Sequence, residues 1–289
     1  MNFYFLHNHY IPAKLKNGVH HVKSVIVPEF YPDLNNAYLG DPYYFTSVES
    51  YIEYVIQNKY YPTDTCFSIE NNKIINPNCC RKTLISYKRL GVKIVQLHCG
   101  NDNAYFSRRL GLTYEGERLL AEIMDAGLIL DLSHLPDDSA LSIANIFQGR
   151  ITVSHCGCSD LYSSQKPRSN SLTRTSIDKL SKHVELFGVS FLNDIIATSE
   201  AELNSEQIFD DIIAQIFLFA DTVGADKVAL SPDYIDTQYF SKYFHTKLAF
   251  PNNLLTPEGL FLLGSKMNMS LSQTEIKKIT SVNVEQLLK

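Results

Sequence analysis

The sequence predicts an α/β fold, a (β/α)8 TIM barrel, and three observations carry that expectation. Eight short apolar runs alternate with helical patterns along the chain. Several of them (VIV, KIVQL, LILDL, KVAL) are near-continuous in hydrophobicity, as parallel strands buried on both faces are. No internal repeat, charge run or Gly/Ser linker divides the 289 residues, so a single domain over residues 1–289 is preferred to the two that length alone suggests. An open doubly wound sheet is the main rival.

The strands are read at residues 3–6, 22–27, 65–69, 93–97, 128–132, 151–154, 188–192 and 227–231. Helices between them carry start and stop signals. Thr113 precedes a segment with Leu119, Leu120, Ile123 and Met124 on one face, and Gly127 stands just past its end, which are the N-cap and C′ residue types. A second helix spans residues 205–223 and stops at Gly224. Thr256, Pro257 and Glu258 supply a cap, a proline at the first helical position and an acid in the first turn. Ser272 and Glu275 have capping-box spacing.

Composition removes several function classes. With 45% apolar residues the chain can fill a sizeable core, and 26 basic against 31 acidic residues give a net charge of −5. The pI is about 6.0 with no basic block, so the electrostatic footprint of a nucleic-acid binder is missing. Apolar runs fall short of the ~20 residues that span a bilayer, and the first residues have neither a positive region nor a small-residue cleavage site. A soluble, cytoplasmic protein is expected, with no membrane partner. The six cysteines form no CxxC and are expected to be reduced.

Function enters through the polar residues at the strand ends. Strand one ends in His7-Asn8-His9, strand three in Glu70, strand four in His98, strand five in His134, strand six in His155 and strand eight in Asp233. In a barrel these ends meet at one face, where active sites of the fold lie. Residues i and i+2 point to the same side, so His7 and His9 should both face the axis. Singly each has an ordinary explanation, such as a cap for Asp233 or a turn for Glu70. Together, imidazoles and carboxylates at one mouth are a zinc-type ligand set, and their number suggests two divalent metal ions. His20, His21, His183 and His245 are read in linkers or helical stretches with no role. Cys99, Cys156 and Cys158 stand beside proposed site residues, which invites a redox or metal-ligand reading, but thiolates at all three would over-supply the site, so they read as small loop residues.

These residues resemble the membrane (renal) dipeptidases of the amidohydrolase superfamily. The segment LGLTYEGERLLAEIMDAGLILDLSH, residues 110–134, is similar to that family's GLT-x-x-G-RE…DLSH signature; ITVSHCG resembles its PVIFSHS strand and KPRSNSLT its RN-hydrophobic-T loop. GADKVALSPDYID, GVKIVQLHCGNDN and the C-terminal stretch ending VNVEQLL also have family counterparts. The likeness runs from about residue 65 to the end and is thin over residues 19–64.

The resemblance implies one metal ion at His7, His9 and Asp233, another at His134 and His155, and Glu70 bridging them. It implies that Asp233 is the general base and then general acid of amide hydrolysis. His98 would contact the scissile carbonyl or its oxyanion, and Arg168, ahead of Lys166, would hold a substrate carboxylate. His9 departs from the family's HNDLP, which has Asp there. The expected activity is hydrolysis of a dipeptide or a related small modified peptide, and a homodimer is compatible with it. The alternatives are a superfamily relative acting on another amide or ester, a deacetylase or lactonase, and a metal-binding dipeptidase-like protein without activity.

Overall fold

The computed structural model describes residues 3–9, 15, 19–25, 66–70, 75–100, 102–161, 170–196, 205–235 and 249–289. Eight parallel strands lie side by side in chain order. They are β1 (Phe3–Asn8), β2 (Val19–Val25), β3 (Cys66–Ile69), β4 (Val92–Gln96), β5 (Ile129–Asp131), β6 (Ile151–Cys158), β7 (Val184–Val189) and β8 (Val228–Leu230). The sheet curls until its first and last strands meet at their C-terminal ends, where the Asp233 N–H reaches the His7 carbonyl at 3.4 Å and the Ser231 hydroxyl the same oxygen at 3.5 Å. This is the expected (β/α)8 class.

Helices α1 (Cys80–Arg89), α2 (Tyr114–Asp125), α3 (Asp137–Ile146) and α4 (Arg174–Leu180) connect successive strands from β3 to β7. The short α5 (Asn193–Ile196) and the long α6 (Ser205–Val223) lead from β7 to β8. The capping signals act as the sequence implies. Thr113 Oγ1 accepts from Gly116 N and Thr256 from Gly259 N, while Ser272 and Glu275 complete a capping box. Gly127 and Gly224 take φ of 61° and 80°, left-handed backbone that glycine enters without steric cost.

Two apolar layers hold the fold. The larger lies between sheet and helices, with Val95, Leu130, Val153 and Phe187 of the strands against Leu84, Leu119, Ile143 and Ile212 of the helices. The smaller fills the barrel below the site and joins Leu6, Val22, Ile94, Ile129, Leu186 and Ala229 to Val284 and Leu287 of the C-terminal helix α9 (Asn283–Leu287). That helix therefore plugs the barrel floor, and each fully buried Val or Leu contributes roughly 1.5–3 kcal/mol. Between β8 and the plug run α7 (Pro257–Met267) and α8 (Gln273–Lys277). No helix among the described residues is long and apolar enough to cross a membrane.

Several expectations shift: β2 lies at Val19–Val25 rather than 22–27, and β6 runs on to Cys158 rather than ending at 154, so Cys156 and Cys158 are strand and not loop residues. Strand seven lies at Val184–Val189 rather than 188–192, because Glu185 sits within it, exposed, and makes two hydrogen bonds with the Arg150 guanidinium at 2.9 and 2.8 Å. A charge at a strand's solvent end interrupts the apolar run without ending the strand. His20 and His21 belong to β2 rather than to a linker, and His20 stacks on Tyr4 with ring centroids 5.5 Å apart. His245 lies outside the described residues.

Candidate metal centre

Strict alternation along β1 would defeat the site. Phe3 and Phe5 pack in the outer layer, and by parity His7 and His9 would follow them. Between Phe5 and Asn8, however, β1 carries one residue more than β2, pairing Phe5 with His21 and Asn8 with Lys23. Such a bulge re-aims side chains, and His7 stacks instead on His155 across the barrel, ring centroids 3.9 Å apart.

β6 does the same against β7. Phe187 pairs with Val153 and Val189 with Cys156, so the bulge falls at Ser154 and His155, and these consecutive residues both turn to the site. Gly188 of β7 lies against this bulge, where a Cβ would fall 1.9 Å from the Ser154 carbonyl oxygen. His134 and Asp233, just past β5 and β8, hold φ of 67° and 57°. Left-handed backbone is uncommon outside glycine and clusters at functional sites.

These distortions bring six of the expected side chains together, all little exposed. His7 Nε2 and His9 Nε2 are 3.3 Å apart, and Asp233 Oδ1 lies 3.5 Å from the first and 3.3 Å from the second. His134 Nε2 and His155 Nε2 are 2.9 Å apart. Glu70 divides its oxygens, Oε2 lying 3.5 Å from His7 Nε2 and 2.8 Å from His9 Nε2, and Oε1 3.5 Å from His134 Nε2.

A tetrahedral ion with bonds of about 2.0–2.2 Å keeps its ligand atoms roughly 3.3 Å apart, so the separations and the N/O donor set fit divalent metal. Three groups of donors, His7/Glu70/His155, His7/His9/Asp233 and Glu70/Cys99/His134, each lie within 4.8 Å of one another. The electrostatics agree. Burial opposes charge on both carboxylates, yet His9 and the other imidazoles hold Glu70 well below the usual range, and His155 with its neighbours does the same for Asp233. Burial likewise opposes charge on His9, but Glu70 and Asp233 prevail and raise its pKa to about 9 in the metal-free protein.

His98 follows β4, fully buried, its ring centroid 4.9 Å from that of Phe106. Burial, with Arg108 and His134 nearby, lowers its pKa to about 4, which leaves a neutral imidazole at pH 7. Among the described residues no side chain hydrogen-bonds either of its ring nitrogens. Arg168 and Lys166 lie outside the described residues.

Some of the machinery escaped the sequence reading. Asp131 Oδ1 accepts from Ser133 N at 3.0 Å, Ser133 Oγ at 2.8 Å and Ser154 N at 2.9 Å, and its Oδ2 accepts from Ser154 Oγ. Asn170 bonds the backbones of His134 and His155, and Asn8 Oδ1 accepts from Tyr234 N at 2.8 Å. Cys99 donates from Sγ to Glu70 Oε1 at 3.4 Å, whereas Cys156 and Cys158 are buried in the outer layer.

Residues 61–287 match the sequence profile described as membrane dipeptidase, peptidase family M19. The chain belongs to the membrane dipeptidase family. Among its curated relatives is the dipeptidase tcpJ of Claviceps purpurea (strain 20.1), 19% identical over 210 residues, 70% of this chain and 45% of the relative. The chain thus spans less than half the length of that relative. Similar solved structures include a metallo peptidase of Rhodobacter sphaeroides liganded with a phosphinate mimic of the dipeptide L-Ala-D-Ala, at TM-score 0.63 and 16% identity over 83% of this chain and 66% of that one. An amidohydrolase of Pseudomonas aeruginosa has TM-score 0.64 and 17% identity, covering 83% and 76%. The fold of this membrane dipeptidase family member is that of these hydrolases.

Proposed function

We propose that this chain is a metallo-dipeptidase that uses two divalent ions, zinc by donor chemistry, to hydrolyse the peptide bond of a dipeptide or a related small modified peptide. The split of Glu70 carries the reading: one carboxylate faces the His7/His9 pair with one oxygen and His134 with the other. A carboxylate shared in this way suits two positions a few ångströms apart better than one. His7, His9 and Asp233 would hold one ion and His134 and His155 the other.

When bound, the ions would supply Lewis-acid polarisation of a carbonyl and a water acidic enough to be deprotonated near neutral pH. The protein does the rest. Asp233, kept ionised, takes the proton of the attacking water on its carboxylate and returns it to the leaving amine nitrogen. His98, neutral and desolvated, offers a ring N–H to the oxygen of the scissile carbonyl as charge develops there. Arg168 pairs with the free carboxylate of the substrate, a planar fork against a planar anion.

Elemental analysis of the purified protein, with a panel of L,L- and L,D-dipeptides, tests this. About two ions per chain and turnover of at least one dipeptide class are expected. A folded preparation supplied with excess Zn2+ that holds two ions but cleaves no dipeptide would move the activity to another amide or ester, and one that retains none would end the enzyme reading.

A further inference from the structure

We propose that Cys99 is a thiolate ligand of the ion held on the His134 side, an assignment that rests on the metal-centre reading above. The thiol leaves β4 next to His98 and aims its Sγ at Glu70 Oε1, 3.4 Å away, the same oxygen that lies 3.5 Å from His134 Nε2. Donor atoms of Glu70, Cys99 and His134 lie within 4.8 Å of one another. Bonds of about 2.3 Å to sulfur and about 2.0–2.2 Å to oxygen or nitrogen put a tetrahedral S···O edge near 3.6 Å, close to the distance found. Among the described residues the sulfur is thus grouped with one imidazole and one carboxylate, while His155, its Nε2 2.9 Å from His134 Nε2, is grouped with His7 and Glu70.

Coordination balances simply: the Sγ–H proton, now donated to Glu70 Oε1, leaves for solvent as the sulfur–metal bond forms, and Glu70 Oε1 is released to bind metal as well. No oxidant is needed. The two positions then differ in kind. The His7/His9/Asp233 position is nitrogen and oxygen only, while the other has a soft thiolate as its own anionic ligand where the first has a hard carboxylate, and it should prefer thiophilic ions. Cys156 and Cys158, buried at 0% exposure in the outer layer, have no such donors gathered about them among the described residues.

Titration of the metal-free full chain with Co2+, followed by absorption, tests this. Wild type should develop visible ligand-field bands together with a near-ultraviolet thiolate-to-cobalt charge-transfer band, and Cys99→Ser should keep the former and lose the latter. Should Cys99→Ser fold poorly, Cys99→Ala and the wild-type alkylation rate decide: iodoacetamide labelling of Cys99, read by peptide mass, should slow when Zn2+ is bound. Ligand-field bands without charge transfer in wild type, a charge-transfer band that survives in Cys99→Ser, or labelling indifferent to Zn2+ would each overturn the assignment and leave the metal centre standing. Absence of every cobalt band in folded wild type would overturn both.

Discussion

Asn170 Oδ1 accepts the backbone N–H of His134 at 2.7 Å, and both residues hold left-handed backbone, φ 51° and 67°. The same amide donates from Nδ2 to the His155 carbonyl. One side chain thereby sets the spacing of two segments that each present an imidazole. Asn170→Gly keeps the backbone conformation accessible and removes only the amide, two hydrogen bonds at about 0.5–1.5 kcal/mol each. Asn170→Ala removes the amide and also forces a Cβ into the left-handed region, about 1–2 kcal/mol more. Urea unfolding should rank wild type above Gly above Ala, with metal lost first from the His134 side. Equal stability of the two variants would mean that backbone strain is not what asparagine relieves.

The hydroxyl of Ser154 has one hydrogen, and Asp131 Oδ2 takes it. Its lone pairs face His155 Nδ1 at 2.9 Å and His7 Nδ1 at 3.3 Å, so hydrogens belong on both Nδ1 atoms and both Nε2 lone pairs point into the site. Partners of this sort fix tautomer and ring orientation, and their loss typically weakens metal binding about 10–100-fold. Ser154→Ala should show a loss of that order in a chelator competition, with the fold retained. Unchanged affinity would show that stacking of His7 on His155 suffices to orient both rings.

Asp233 sits at φ 57°, a conformation asparagine adopts as readily as aspartate. Asp233→Asn is therefore close to isosteric, but it removes the proton acceptor and also turns an anionic ligand of the proposed site into a neutral one, so turnover is read with metal at saturation. Turnover should fall about 100–10,000-fold, the range of general acid–base catalysis, with a much smaller change in KM. Arg168→Ala should instead raise KM for dipeptides with a free carboxylate and leave amidated substrates nearly unaffected. Steady-state kinetics on both substrate types separates the two roles, and equal losses on both would remove Arg168 from the clamp.

The strands were legible because buried parallel strands are apolar runs, and the site was legible as polar residues at their ends. What turns His7 and His155 inward was not. A bulge is a mismatch in count between two paired strands, Phe5 to Asn8 against His21 to Lys23, and neither strand's own sequence records it. The i, i+2 rule thus gave the right direction for His7 while the chain broke the alternation behind it. Asn170 and Cys99 were hidden differently. Each acts on a residue brought in by another strand, Asn170 on His134 and His155, Cys99 on Glu70, so their surroundings exist only once the barrel is curled. Glu185 misled the reading of β7 because its partner, Arg150, lies at the start of the neighbouring strand.

As a ligand of the proposed site, His9 would make metal binding and stability depend on pH in opposite senses. Burial disfavours its charged form, but Glu70 and Asp233 raise its pKa from 6.5 to about 9 in the metal-free protein. The raised value means that folding takes up a proton: the stabilisation is complete below about pH 6.5 and is lost as pH rises through 9. His98 and His155, both with lowered pKa, contribute the opposite slope near pH 6.5, where their unfolded forms are still partly protonated, and almost none above about pH 7.5. A metal ion must displace the His9 proton, so affinity should strengthen toward pH 9 by up to about tenfold per pH unit. The urea midpoint of metal-free protein should accordingly fall from about pH 7 to 9 while metal affinity climbs. His9→Asp gathers three carboxylates with no imidazolium among them at this position, so its metal-free form should be less stable than wild type at pH 7 and recover more on metal addition. If wild-type affinity is flat across the window and His9→Asp leaves the metal-free midpoint unchanged, His9 neither carries the proton nor holds the ion.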